Sequence, residues 1–192
     1  MFAGIVLFLL AIVLLFATIG IYNRLIGLKN AARKTWSNVG VLLKQRHDEL
    51  PKLVEVCRQY MKHESETLER VIEARSAVHS ASESGDVRGL GAAESGLRAQ
   101  LGKLFAVAEA YPDLKANTIF LQLQTRISGL ETSIADRREI YNDAVNSSNT
   151  AIEQFPAVLV ANMFGFRPFD LFEFQADDVA DVDVKALFGA QA

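Results

Sequence analysis

The chain has 192 residues, with 20 Lys and Arg set against 23 Asp and Glu for a net charge of −3, and nothing in that balance calls for a nucleic-acid partner. Its single cysteine, Cys57, excludes an intramolecular disulfide and a cysteine-based zinc site.

The first element is apolar. Met1 to Ile21 carry no charged side chain, and fourteen of these residues are Phe, Ile, Val or Leu. About 20 such residues, at about 1.5 Å each, cross a hydrocarbon core of roughly 30 Å. The favourable insertion free energy is on the order of 5 kcal/mol as an upper figure. A cleaved signal peptide needs a basic n-region and a small-x-small cleavage site. The exit here reads Thr18-Ile19-Gly20-Ile21-Tyr22-Asn23 and contains no such site. The expectation is a retained single-pass anchor over residues 1–22. Arg24, Lys29, Arg33 and Lys34 follow the span closely, which predicts a cytoplasmic body with the N-terminus outside. Tyr22, Arg24 and Lys29 are the expected membrane-interface residues.

The body, residues 23–155, has helical periodicity. Leu25, Leu28, Ala32, Thr35, Val39, Leu42 and Arg46 alternate steps of three and four. So do Leu53, Cys57, Tyr60, Glu64, Thr67, Val71, Ala74 and Val78, then Val87 to Tyr111, then Phe120 to Ile134 and Tyr141 to Ile152. Such seams mark helices packed at shallow angles, and the fold class is all-α. Ser82 to Asp86 reads as a turn with Asp86 as N-cap, and Tyr111-Pro112 ends the third helix. A continuous helix over 24–80 would be roughly 85 Å long, too long for its neighbours. A break near Pro51 gives matched lengths, and hence an antiparallel, up-and-down four-helix bundle behind the anchor. The fourth helix then returns towards the membrane. The segment 156–174, expected to be irregular, is aromatic and membrane-proximal. With Phe155 just before it, it includes Phe164, Phe166, Phe169, Phe172 and Phe174, half of the chain's twelve phenylalanines. Residues 175–192 are acidic and expected to be mobile.

These pieces resemble the LemA family of bacterial membrane-anchored proteins. The resemblance rests on Tyr22-Asn23, Trp36, Arg46-His47-Asp48, Leu50-Pro51, Leu53-Val54, Lys62-His63-Glu64 and Glu73-Ala74-Arg75. It continues through Tyr111-Pro112, Leu114-Lys115-Ala116, Phe120-Leu121, Leu123-Gln124, Glu131, Ile134 and Arg137. Tyr141-Asn142, Ala144-Val145, Asn149, Phe155-Pro156 and Phe164-Gly165-Phe166 complete it, with Lys52 and Ser148 as departures from the usual pattern. It implies an antiparallel helical bundle behind one span, and it supplies no reaction. Some relatives look linked to membrane or organelle morphogenesis.

Chemistry is not prominent. His47-Asp48-Glu49 groups an imidazole with two carboxylates, but helix residues one and two apart do not face each other. His63-Glu64 lacks a His-Glu-x-x-His pattern, and His79 reads as surface. Cys57 sits on an apolar seam with no histidine spaced to activate it. No Gly-x-Ser-x-Gly or glycine-rich phosphate loop occurs. Gly85, Gly89, Gly91 and Gly96 read as small residues that permit close helix contact. Arg46, Glu64, Glu94, Glu131 and Arg137 fall on or beside seams, where a charge needs a partner. No enzyme activity, cofactor, metal or small-molecule substrate is expected.

The leading expectation is a non-enzymatic scaffold at the cytoplasmic face of a bacterial inner membrane, self-assembling as a homo-oligomer or organising other membrane proteins. A regulatory adaptor of a membrane protease or sensor system is the alternative. The five phenylalanines from Phe164 to Phe174 are the candidate interaction residues. Their rival role is packing back onto the chain's own helices.

Overall fold

The structure, a computed structural model, describes residues 2–174; the acidic stretch 175–192 lies outside the described residues. Six helices follow in order: α1 (Phe2–Tyr60), α2 (Ser65–Ser84), α3 (Val87–Ala108), α4 (Pro112–Lys115), α5 (Thr118–Glu153) and α6 (Ala157–Met163). No strand occurs among the described residues.

Helix α1 begins as the apolar run, and its large side chains from Phe2 to Ile19, the half-buried Ile12 excepted, stay exposed. It is long and apolar enough to cross a membrane. It then continues without interruption through Pro51, so the expected chain reversal near Pro51 is not made. An interior proline costs about 3 kcal/mol through its missing N–H and its clash one turn back. Leu50, Leu53, Val54 and Cys57 are all buried on either side of it, while Pro51 itself faces outward. Each buried side chain of this kind contributes roughly 1.5–3 kcal/mol, so the uninterrupted apolar face outweighs the proline. The chain turns instead at 61–64, where Met61 N–H donates to Cys57 C=O at 2.8 Å and Glu64 N–H to Met61 C=O at 3.1 Å. Residues 24–60 make about 55 Å of helix, and the 36 residues of α5 make about 54 Å.

Two compact units emerge. The first combines the described residues up to Leu53 with Thr118–Phe172. In it α1 and α5 run antiparallel. Leu25 clusters with Ala151, Trp36 stacks near Tyr141, and Glu49 pairs with Arg126. Moving up α1 through these residues therefore moves back down α5. Buried Ala32, Val39 and Leu43 on α1 and Ile127, Ile134 and Val145 on α5 belong to this unit's core.

The second unit combines Val54–Asn117 with Glu173 and Phe174. Its main body is the α2–α3 hairpin. Gly85 ends α2 in the left-handed conformation, φ +71°. The carboxylate of Asp86 then accepts from Gly89 N–H at 2.9 Å, the expected N-cap of α3. Leu68, Val71 and Val78 of α2 and Leu90, Leu97, Leu101 and Leu104 of α3 are buried. Tyr111, extended at φ −116°, precedes Pro112 and starts the short α4.

The segment 156–174 is expected from its sequence to be irregular, but Ala157–Met163 form α6. Gly165, at φ +68°, terminates it. Phe166 N–H donates back to Ala161 C=O at 2.9 Å and Gly165 N–H to Asn162 C=O at 3.4 Å, a Schellman-type end that needs the left-handed residue. From Phe164 to Phe174 the chain has no regular secondary structure.

Candidate interaction site

The segment after α6 is held as a strap along the first unit. Two asparagines on α5, seven residues apart and so on one face, each grip one strap residue through both of its backbone polar groups. Asn149 Nδ2–H donates to the Phe169 carbonyl at 2.9 Å, and Phe169 N–H donates to Asn149 Oδ1 at 2.9 Å. Asn142 Nδ2–H donates to the Phe172 carbonyl at 3.0 Å, and Phe172 N–H donates to Asn142 Oδ1 at 2.9 Å. Between them Tyr141 O–H donates to the Asp170 carbonyl at 2.9 Å. An extended strap outside a sheet lacks ladder partners, and these side chains supply them.

Phe172 is fully buried. Its ring meets Trp36 edge-on at 5.7 Å and 85°, and Trp36 in turn lies 4.9 Å from Tyr141. Burial, with the charge of Asp170 adding to it, pushes the Tyr141 hydroxyl up to about 12. Nearer α6, a second cluster buries Leu25, Ala151, Val160 and Ala161, with Ile21, Tyr22, Leu28 and Phe166 packed on it. Tyr22 lies 4.8 Å from the Phe164 ring and 5.9 Å from the Phe166 ring. The Lys29 ammonium sits 5.7 Å above Phe166, in cation–π range.

The five candidate phenylalanines therefore differ. Phe172 is core, Phe166 and Phe169 are half-buried, and Phe164 is 54% exposed. Phe174 belongs to the second unit, where the Arg98 guanidinium lies 5.2 Å from its ring. In that unit Gly91 lets the strap backbone approach α3, since a Cβ there would stand 1.8 Å from the Glu173 carbonyl oxygen. Of the interface residues, Tyr22 and Lys29 meet the aromatic segment, while Arg24 is exposed. Asn142 and Asn149 are not marked as site residues by the sequence; their one signal is a pair of amides one heptad apart on a helix, which does not say what they bind.

Glu49, Glu64, Asn117 and His79 each have a polar partner. The buried Glu49 carboxylate pairs with Arg126 at 3.2 Å and Lys52 at 3.1 Å. Glu64 accepts from Tyr111 O–H at 3.2 Å, and Asn117 Nδ2–H donates to Tyr60 at 3.0 Å. His79 faces Glu83 at the surface, 3.4 Å away. Cys57 is fully buried, and burial pushes its thiol up to about 12, which makes it a poor nucleophile. Among the described residues no group of three or more His, Cys, Asp or Glu converges for a metal ion.

The sequence profile of the LemA family matches residues 35–186. The chain belongs to the LemA family. Protein LemA of Metamycoplasma hominis is 30% identical over 188 residues, which cover 95% of this chain and 82% of that protein. Magnetosome protein MamQ 2 of Paramagnetospirillum magneticum is 34% identical over 92 residues, 46% of this chain and 34% of that protein. Magnetosome protein MamQ of Magnetospirillum gryphiswaldense is 30% identical over 80 residues, 42% of this chain and 29% of that protein. The chain thus spans about a third of the length of the magnetosome proteins it matches. In this LemA-family chain, the residues that carried the resemblance at Trp36, Tyr141-Asn142, Asn149 and Phe164-Gly165-Phe166 converge on the strap and its two clusters.

Proposed function

We propose that this chain is a non-enzymatic, membrane-anchored scaffold that self-assembles or organises other membrane proteins at the cytoplasmic face of a bacterial inner membrane. The observation that carries the reading is where apolar surface remains. The run from Phe2 to Ile19 is exposed, and so is Phe164 beside Tyr22 at the end of that run. Several ionisable side chains, by contrast, close into local pairs, as Glu49 does with Arg126 and Lys52 and Arg70 with Glu66. Family membership and the excess of Lys and Arg just after the apolar run support the placement. The magnetosome names of two relatives support a role in organising a cellular structure.

Gentle detergent solubilisation followed by mass measurement tests the reading. A large uniform oligomer, or reproducible co-purifying membrane proteins, is expected. A monodisperse monomer with no companion would overturn it. A reporter active only in the cytoplasm, fused after Ala192, should be active, and activity of a periplasm-only reporter there would reverse the orientation.

A further inference from the structure

Helix α6 has two apolar faces, and only one of them is used inside the protein. Ala157, Val160 and Ala161 turn inward onto Ile21, Leu25 and Ala151. Leu159 and Met163, four residues apart on α6, point away and are 59% and 73% exposed, with Phe155 in the turn before the helix at 81% and Phe164 just after it at 54%. Outside the apolar run of α1, the other exposed large hydrophobic side chains, such as Val41, Ile72 and Ile119, are scattered singly, and single ones are ordinary. Four gathered on one short helix and the residues that flank it are not.

Position decides the occupant. The inward face of α6 packs on Ile21 and Leu25, where the uncharged run of α1 ends. The outward face therefore lies level with that end, continuous with the exposed apolar side chains of α1. From Phe155 to Phe166 no residue carries a charge, and the stretch is bounded by Glu153 and Arg167. Lys29 lies over the Phe166 ring, Arg24 adjoins Leu25 in sequence and Arg167 follows Phe166. Seven residues of helix are about 10 Å long, within the depth of the headgroup boundary.

We propose that α6 is a membrane foot: Phe155, Leu159, Met163 and Phe164 enter the acyl–headgroup boundary of the leaflet from which the body of the chain emerges, with Arg24, Lys29 and Arg167 at the phosphate level. The proposal rests on the reading of α1 as a span. It gives the body a second attachment that fixes its rotation about the span axis, and basic side chains flanking an apolar face favour anionic lipid.

Single cysteines at L159C, M163C, L10C and K103C carry an environment-sensitive fluorophore. Each full-length variant is reconstituted into vesicles of phosphatidylethanolamine and phosphatidylglycerol. Buried Cys57 stays in place, with the unsubstituted chain as the labelling blank. Labels at 159 and 163 should be blue-shifted and several-fold brighter than the label at 103. They should be quenched by nitroxide on a shallow acyl carbon and resist aqueous iodide. If iodide quenches 159 and 163 while 10 stays lipid-quenched, the foot is wrong and the anchor stands. Protection of 159 and 163 from both quenchers would mean a protein contact and also overturn the foot. Iodide access at 10 would overturn the span, and the foot with it. Helix content by circular dichroism, unchanged across the variants, shows that each is folded.

Discussion

Asn149 binds Phe169 as a strand neighbour would, accepting its N–H and donating to its C=O, both at 2.9 Å. Asn142 repeats the pattern at Phe172. The two spacings agree. Seven residues of α-helix advance about 10.5 Å, and three residues of extended chain cover about 10 Å. Substituting Asn149→Ala or Asn142→Ala removes two hydrogen bonds and leaves a strap amide and carbonyl without partners. Each should cost about 1–3 kcal/mol in chemical unfolding of the detergent-solubilised chain. Helix content should hold while Trp36 fluorescence shifts to the red as its surroundings loosen. An unchanged unfolding midpoint and Trp36 spectrum would mean that the strap is held by its side chains alone.

Phe172 and Phe164 should separate cleanly. Phe172→Ala empties a fully buried site against Trp36 and should cost about 3–5 kcal/mol. Phe164→Ala removes a ring that is more than half exposed and should change stability by less than about 1 kcal/mol. Equal effects in thermal unfolding would contradict the burial pattern.

Two glycines on α3 should respond with opposite signs. Gly91→Ala places a methyl 1.8 Å from the Glu173 carbonyl oxygen, so the strap backbone must move and stability should fall. Gly96 has nothing within 4 Å of an added Cβ. Gly96→Ala should therefore stabilise the chain by about 0.5–1 kcal/mol, as alanine does in a helix interior. The comparison of the two melting temperatures is the check.

Alkaline pH should unfold the protein through Cys57 and Tyr141. Each native group holds its proton more tightly than in the unfolded chain. Their contribution is whole below the unfolded values of 9.0 and 10.0 and is lost as pH rises towards about 12. Tyr141→Phe should flatten the loss between pH 10 and 12 while lowering stability at neutral pH, because the bond to the Asp170 carbonyl goes. At pH 8, a thiol reagent should modify Cys57 only in denaturant. Rapid labelling of the native chain would show that the thiol is open.

Pro51→Ala restores a backbone donor inside a helix that is already continuous. It should stabilise the chain by about 1–3 kcal/mol. A loss of stability instead would show that the proline geometry is used locally.

Features that depend on neighbours along the chain can be read from the residues alone. The uncharged run from Met1 to Ile21, the three-and-four seams, the Asp86 cap and the Tyr111-Pro112 stop each act within a turn or two, so they were legible. Features that depend on burial emerge only when remote segments pack. Pro51 reads locally as a break, but its cost of about 3 kcal/mol is outweighed by Leu50, Leu53, Val54 and Cys57 buried on one continuous face, and the turn falls at 61–64. The α6 helix forms in a stretch read as irregular because Val160 and Ala161 gain a buried partner in Leu25, which is remote in sequence. Asn142 and Asn149 acquire their role only when residues 20 to 30 positions away arrive as an extended strap, since an amide's partner is set by proximity in space rather than by spacing along a helix.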